Sequence, residues 1–172
     1  MMNTLLVLGM LGASPAEAAP PPTHQLEVYL HSDVTLFSSP SRTQGGAGGG
    51  LGLRDTVNGR WVLQADVAGL TGMGSALQLR LGAGLQREGW WSPLARLELT
   101  GLVGESLGLL TPRNPRSASS LAVALGVALA PVRFDVAGAR VSALELNVGV
   151  GPDASGLGLR YGVTLLEIGI PL

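Results

Sequence analysis

The segment SALQLRLGAGLQ, residues 75–86, alternates strictly between two kinds of side chain. One row is apolar and contains Leu77, Leu79, Leu81, Ala83 and Leu85. The other row is small or polar and contains Gln78, Arg80, Gly82, Gly84 and Gln86. Successive side chains of a β-strand point to opposite sides, so this pattern predicts a strand with one apolar face. A barrel strand that crosses a membrane has such a pattern, and so does a half-solvated strand of a soluble sheet.

The same alternation recurs along the chain in eight segments separated by turn-forming residues. The predicted strands are 24–37, 46–54, 60–70, 75–86, 93–109, 120–130, 140–150 and 156–165. A tilted strand of about 9–11 residues crosses a bilayer, and bacterial outer-membrane barrels have even strand numbers. The predicted fold is therefore all-β: an antiparallel up-and-down eight-stranded transmembrane β-barrel in one domain, residues 24–172.

Two segments continue past a change of phase in the apolar row. After Pro131 the apolar positions become Val132, Phe134 and Val136, and after Leu165 they become Leu166, Ile168 and Ile170. A β-bulge adds one residue to a strand and so moves the following side chains to the other face. We expect bulges at both places, at the rim that also holds the two chain ends. The alternative is that the crossings end there and the tails cap the barrel.

Composition excludes several classes of function. The net charge of −1 gives no basic field for nucleic acid, and the absence of cysteine excludes disulfides, thiol catalysis and thiolate metal sites. The 26 glycines are spread through the strands, which suits a strongly curved sheet. The aromatic content of 4% is low for an outer-membrane barrel, which usually carries aromatic girdles.

The N-terminal residues 1–18 are predicted to be a secretory signal peptide. An apolar stretch from Leu5 to Leu11 is followed by Ala16-Glu17-Ala18, the small–x–small pattern of a cleavage site. Basic residues are missing before the apolar stretch, which departs from the usual signal. Cleavage after Ala18 would leave 172 − 18 = 154 residues, with residues 19–23 as a short proline-rich leader.

The inward rows carry charges of both signs, which predicts a polar network in the lumen. The acids are Glu27, Asp33, Asp66, Glu98 and Glu145; the bases are Arg54, Arg60, Arg80, Arg96 and Arg160, with His31 beside them. A narrow lumen hydrates lone charges poorly, so these groups should pair and plug it. A charge-lined pore is the alternative.

Two turns predict which of these charges face each other. A turn centred on Met73 places Asp66 opposite Arg80 on neighbouring strands. A four-residue turn at 151–154 would place Glu145 opposite Arg160. Opposed residues of an antiparallel pair have Cβ atoms about 4.5–5.5 Å apart, within reach of a carboxylate–guanidinium contact.

With its predicted signal and eight alternating segments, the chain resembles the small OmpA/OmpX-type outer-membrane barrels from about Gln25 to Leu172. The resemblance lies in pattern and not in a residue motif. It implies a monomer in the Gram-negative outer membrane whose partners are membrane lipid and the outer-membrane assembly machinery. The chain departs from the family by ending Ile168-Gly169-Ile170-Pro171-Leu172, without a terminal aromatic residue. The predicted outer loops are short, which argues against the adhesive roles of family members with long loops.

Some eight-stranded outer-membrane barrels modify lipid A, and hydrolysis of that kind requires a nucleophile beside a base. Only His24 and His31 are present, and Ser32 lies on the face opposite His31, so no nucleophile–base pair is predicted. The glycine-rich run 45–52 lacks the lysine and the following helix of a phosphate loop. We therefore expect no catalytic, metal or cofactor-binding residue and no cofactor. The favoured function is a non-enzymatic structural or interaction barrel; the alternative is a soluble secreted or periplasmic barrel that binds a small ligand.

Overall fold

The computed structural model describes residues 23–108, 118–153 and 156–172. The predicted signal peptide and most of the proline-rich leader lie outside the described residues, as does most of the predicted loop 111–119. Among the described residues, no helix is long and apolar enough to span a membrane.

Eight antiparallel strands close into a barrel in chain order, which confirms the predicted fold. The strands are β1 (His24–Ser38), β2 (Arg42–Val57), β3 (Trp61–Gly72), β4 (Ser75–Gln86), β5 (Leu94–Gly108), β6 (Ala118–Val136), β7 (Ala139–Asp153) and β8 (Gly156–Pro171). The pairing of β1 with β8 completes the closure. The turn between β2 and β3 has positive φ at both Asn58 (53°) and Gly59 (68°), as expected for an Asn-Gly hairpin.

The bounds of β4 are those predicted, but β2, β6 and β8 are longer than predicted. The glycine-rich start of β2 has few apolar side chains to reveal its alternation, and it nevertheless pairs with β1 from Thr43 onward. Strands β6 and β8 continue through their changes of phase, so the predicted bulges are correct and the capping-tail alternative is wrong.

The end of the barrel opposite the two chain ends is closed in part by an additional pairing. Strands β3 and β4 are the shortest, with 12 residues each. Beyond their turn, β2 pairs directly with β5, with Arg42 opposite Gly108 and Gln44 opposite Ser106. We call this end the upper rim, and the end that holds both termini the lower rim.

The bulges form one continuous band across three neighbouring strands. In β6 the inward residues Ala130 and Arg133 are separated by two residues instead of one, and β7 and β8 repeat this spacing between Ser142 and Glu145 and between Thr164 and Glu167. The register of β7 with β8 is the same on both sides of the band, because the two strands shift together. The extra residue of β8 instead shifts its register with β1, which has no bulge, between Ser32 and Asp33.

The apolar row of each strand faces outward and the polar row faces inward. In β4, Leu79 is 51% exposed whereas its neighbours Gln78 and Arg80 are 0% and 2% exposed. A soluble barrel would bury its leucines, whereas here the apolar row does not line the interior. This is the arrangement of a barrel with lipid outside.

Two small apolar layers lie inside the barrel, one above and one below its charged middle. The upper layer contains Phe37, Ala68, Leu70, Ala76, Leu102 and Ala122. The lower layer contains Val62, Leu94 and Ala130. The remaining interior is polar, and it is the candidate functional site.

Candidate functional site in the barrel interior

The inner wall of β6 is made of small residues, which leaves room for long side chains from its neighbours. Between 122 and 130 its inward positions are Ala122, Ala124, Gly126, Ala128 and Ala130. Arginines and glutamates of β5, β7 and β8 extend across this wall and meet in front of it. Of the eleven residues predicted for the lumen network, all but Arg60 face inward and are buried, with 6% exposure or less.

The first cluster is centred on Arg54, near the lower rim. Its guanidinium donates to Glu167 through Nη1 (2.7 Å) and Nη2 (2.8 Å), to Glu27 Oε1 (2.9 Å) and to Gln64 Oε1 through Nε (3.0 Å). It also lies 4.6 Å from the ring centroid of Tyr29. One buried cation is therefore shared by two carboxylates, an amide and an aromatic face.

The second cluster is centred on Arg80 and confirms the predicted register of β3 and β4. Asp66 is opposite Arg80, and Arg80 Nε donates to Asp66 Oδ1 at 2.6 Å. Nη1 of Arg80 lies 3.2 Å from Asp33 Oδ2, and Nη2 lies 3.2 Å from His31 Nδ1. The Tyr29 hydroxyl donates to the second oxygen of Asp66 (2.8 Å). The cluster thus connects β1, β3 and β4 through the interior.

The third cluster joins β5, β7 and β8. Arg96 donates to both carboxylate oxygens of Glu145 at 2.6 Å, which is a bidentate contact across the β6 wall, and to Glu98 Oε2 at 2.8 Å. Arg160 Nη1 donates to Glu98 Oε1 at 2.6 Å. The predicted opposition of Glu145 and Arg160 is wrong: Glu145 is opposite Thr164, and Arg160 is opposite Gly149. The strands pair as far as Asp153 and Gly156, so the connection is shorter than the four-residue turn assumed.

The structure adds three charged residues that the sequence prediction missed and removes one. Arg133, Arg140 and Glu167 are buried and face inward, whereas Arg60 is exposed in the turn before β3. Arg140 Nη1 donates to Glu27 Oε2 at 3.0 Å, and its Nε donates to Asp135 Oδ1 at 2.7 Å. For Arg133 and Glu167 the phase changes carried the missing signal, because outward Val132 and Phe134 require an inward Arg133, and outward Leu166 and Ile168 require an inward Glu167.

The buried charges of the described residues are balanced. Six carboxylates belong to Glu27, Asp33, Asp66, Glu98, Glu145 and Glu167, and six guanidinium groups belong to Arg54, Arg80, Arg96, Arg133, Arg140 and Arg160. Pairing removes much of the cost of taking these charges out of water. The arrangement therefore acts as a cross-link between strands.

In the described part of the chain, His31 and Ser32 do not form a nucleophile–base pair. The Ser32 hydroxyl lies on the outer face, where its Oγ accepts from Leu166 N at 3.1 Å, while His31 faces inward. Among the described residues, no group of three His, Asp or Glu side chains could hold a metal ion.

The upper apolar layer depends on a close approach between β1 and β8. Phe37 is fully buried and its ring covers Gly158. A Cβ atom at Gly158 would lie 2.2 Å from Phe37 Cζ, so only glycine leaves space for the ring. Above this layer, Asp153 accepts hydrogen bonds from Ser39, Ser41 and Arg42, which joins the ends of β1, β2 and β7 at the upper rim.

Comparison with solved structures gives the same fold. The N-terminal β-barrel domain of Pseudomonas aeruginosa OprF aligns with a TM-score of 0.53 at 8% identity and covers 87% of this chain and 100% of its own. Neisserial surface protein A (NspA) aligns with a TM-score of 0.54 at 9% identity and covers 88% and 99%. The Yersinia pestis outer membrane protein Ail aligns at 14% identity, but its TM-score of 0.40 adds no support. No family model and no curated protein matches the sequence. The chain has the fold of the small eight-stranded outer-membrane barrels.

Proposed function

We propose that this chain is a non-enzymatic barrel of the bacterial outer membrane, with a structural or interaction role and a lumen plugged by paired charges. The observation that carries the proposal is the combination of two faces on the same strands. Apolar side chains cover the outside, while six carboxylates and six guanidinium groups are buried inside. A soluble protein would place these two sets the other way round.

A membrane location accounts for the exposed leucines. Leu30, Leu97 and Leu125 are 64%, 63% and 61% exposed and lie on different strands around the barrel. Contiguous apolar surface of this extent favours a lipid environment over water. Membrane lipid is therefore the principal partner proposed, with the outer-membrane assembly machinery needed for insertion and a monomer as the functional state.

A lumen closed to ions accounts for the packing of the barrel interior. The ion-paired clusters lie between the upper layer, which includes Phe37 and Leu102, and the lower layer, which includes Val62 and Leu94. Both layers are buried, so an ion would have to displace packed apolar groups as well as separate charge pairs. This favours a plug over a charge-lined pore.

Neighbouring residues on β6 offer a matched test of the membrane location. Leu125 is 61% exposed on the outer face, and Ala124 is 3% exposed on the inner face. With cysteine at either position in reconstituted vesicles, a water-soluble maleimide should label neither, and a lipid-soluble maleimide should label only Leu125→Cys. Rapid labelling of Leu125→Cys by the water-soluble reagent would show that this face meets water and would support the soluble alternative.

Cell fractionation and electrophysiology test the rest of the proposal. The protein should appear in the outer-membrane fraction and change its mobility on a denaturing gel only after boiling. Purified protein in a planar bilayer should give no steady current. A stable single-channel conductance would contradict the plugged lumen, and recovery from the detergent-free soluble fraction would contradict the location.

A further inference from the structure

Arg133 is the one buried arginine among the described residues that has no close carboxylate partner. Its nearest carboxylate oxygen is Glu27 Oε2, 3.9 Å from Nη2, and Glu27 is already held by Arg54 and Arg140. Nη1 donates to the neutral amide oxygen of Gln86 at 3.1 Å. Arg133 is nevertheless 0% exposed. A buried cation without a direct counter-charge is costly, so this arrangement requires an explanation.

Two serines flank Arg133 on the neighbouring strands at the same level. Ser142 of β7 is directly opposite Arg133 of β6. On the other side, Ser92 N donates to Arg133 O at 2.9 Å, which places Ser92 opposite Arg133 just before β5. Both serines are buried, at 1% and 3% exposure. Three adjacent chain segments therefore place a hydroxyl, a guanidinium and a second hydroxyl side by side.

The unused hydrogen-bonding groups of this row are rich in donors. Nε and Nη2 of Arg133 and the hydroxyls of Ser92 and Ser142 are buried with no hydrogen-bond partner among the described residues. At Asn147, by contrast, both the amide nitrogen and the carbonyl oxygen are unpaired, so donor and acceptor balance as a water molecule would require. The row at Arg133 has positive charge and N–H donors in excess, which calls for an acceptor that is itself negative.

We propose that Arg133, Ser92 and Ser142 form a binding site for a small monovalent anion, of which chloride is the expected occupant. The guanidinium supplies the charge and two N–H donors, and the two hydroxyls complete the coordination from either side. A halide only accepts hydrogen bonds, which fits a site whose unpaired groups can all donate. The site lies near the lower rim, three residues before the end of β6 at Val136, and is separate from the Arg80 and Arg96 clusters.

The test measures the stability of the purified full chain in detergent as chloride replaces gluconate at constant ionic strength. The midpoint of the heat-dependent gel shift should rise by about 3–6 °C when chloride exceeds its dissociation constant tenfold. Arg133→Gln should abolish this dependence. Ser92→Ala/Ser142→Ala keeps the charge and should need roughly tenfold more chloride for the same shift. Arg87→Gln, which removes an exposed arginine from the same rim, should behave as the unchanged protein.

Bromide-soaked crystals of the unmodified protein give a readout that does not depend on a variant folding. An anomalous peak should lie within hydrogen-bonding distance of Arg133 and both serines. Equal midpoints in chloride and gluconate, a chloride dependence that survives Arg133→Gln or is unaltered in the double serine variant, or the absence of the peak would overturn the site.

Discussion

The bidentate contact between Arg96 and Glu145 predicts strong coupling between two strands that are not neighbours. Arg96 of β5 reaches Glu145 of β7 across Ala128 of β6, and both charged groups are buried. Replacement of Arg96 by methionine removes both hydrogen bonds and leaves Glu145 with Arg80 as its nearest cation, 3.9 Å away. Replacement of both residues by methionine removes the stranded charge as well and keeps apolar volume in their place.

The expected loss of stability follows from Glu145, which stays buried after Arg96 is replaced. A buried carboxylate stripped of its partner costs about 3–5 kcal/mol, so Arg96→Met should lower the free energy of unfolding by that amount. The double variant should lose much less, because Glu98 keeps its 2.6 Å contact with Arg160 and Glu145 is no longer there to be stranded. The coupling energy of the double-mutant cycle should then reach about 3 kcal/mol, at the upper end of values for direct contacts.

Urea unfolding in lipid vesicles, followed by tryptophan fluorescence, measures this cycle. Trp61, Trp90 and Trp91 lie away from the mutated pair, in or beside the lower turns, and report on the whole barrel. Arg60→Met, which removes an exposed arginine from the turn before β3, is the matched control and should be nearly neutral. Additive losses in the double variant would refute the reasoning, since they would show that neither residue depends on the other.

Three further predictions test the outer face, the upper layer and the N-terminus. Leu79→Arg should cost about 2–4 kcal/mol in vesicle unfolding if this residue faces the bilayer midplane, and a neutral result would place it elsewhere. Gly158→Ala should cost about 1–3 kcal/mol through overpacking against Phe37, and Phe37→Leu should recover part of that loss in the same assay; no recovery would mean that the ring is not the obstacle. N-terminal sequencing of the envelope protein should begin at Ala19, and a start at Met1 would contradict cleavage.

Periodicity and turn chemistry were sufficient for the strand number, the two faces and one register. The period-two rows of β4 predict the direction of every side chain. The glycines at the β3–β4 turn predict a short turn, whose length aligns Asp66 with Arg80. The prediction that Glu145 lies opposite Arg160 was wrong because the turn-forming residues at 151–155 do not indicate at which residue the pairing of β7 with β8 ends. Which arginine meets which acid across the lumen depends on strand curvature and on the small residues of β6, and neither is a local property of the sequence.

Arg133, Arg140 and Glu167 were missed for a different physical reason. Parity assigns side chains to faces only as long as a strand is regular, and β7 contains a phase change that its apolar residues do not announce. Ala143 and Leu144 are both apolar, so nothing in the sequence marks the extra residue that turns Arg140 inward. In β8 the adjacent Leu165 and Leu166 do mark it, and Glu167 was therefore within reach of the prediction.

The bulge band has a consequence for insertions and deletions. Removal of Pro131 alone would straighten β6 while β7 keeps its extra residue, so the two strands would mismatch at the lower rim. Removal of one residue from each of the pairs 131–132, 143–144 and 165–166 would restore alternation in all three strands and keep Arg133, Arg140 and Glu167 facing the lumen. Length changes in this part of the barrel are therefore tolerable as a concerted set but harmful singly, so the three strands should gain or lose residues together as the protein diverges.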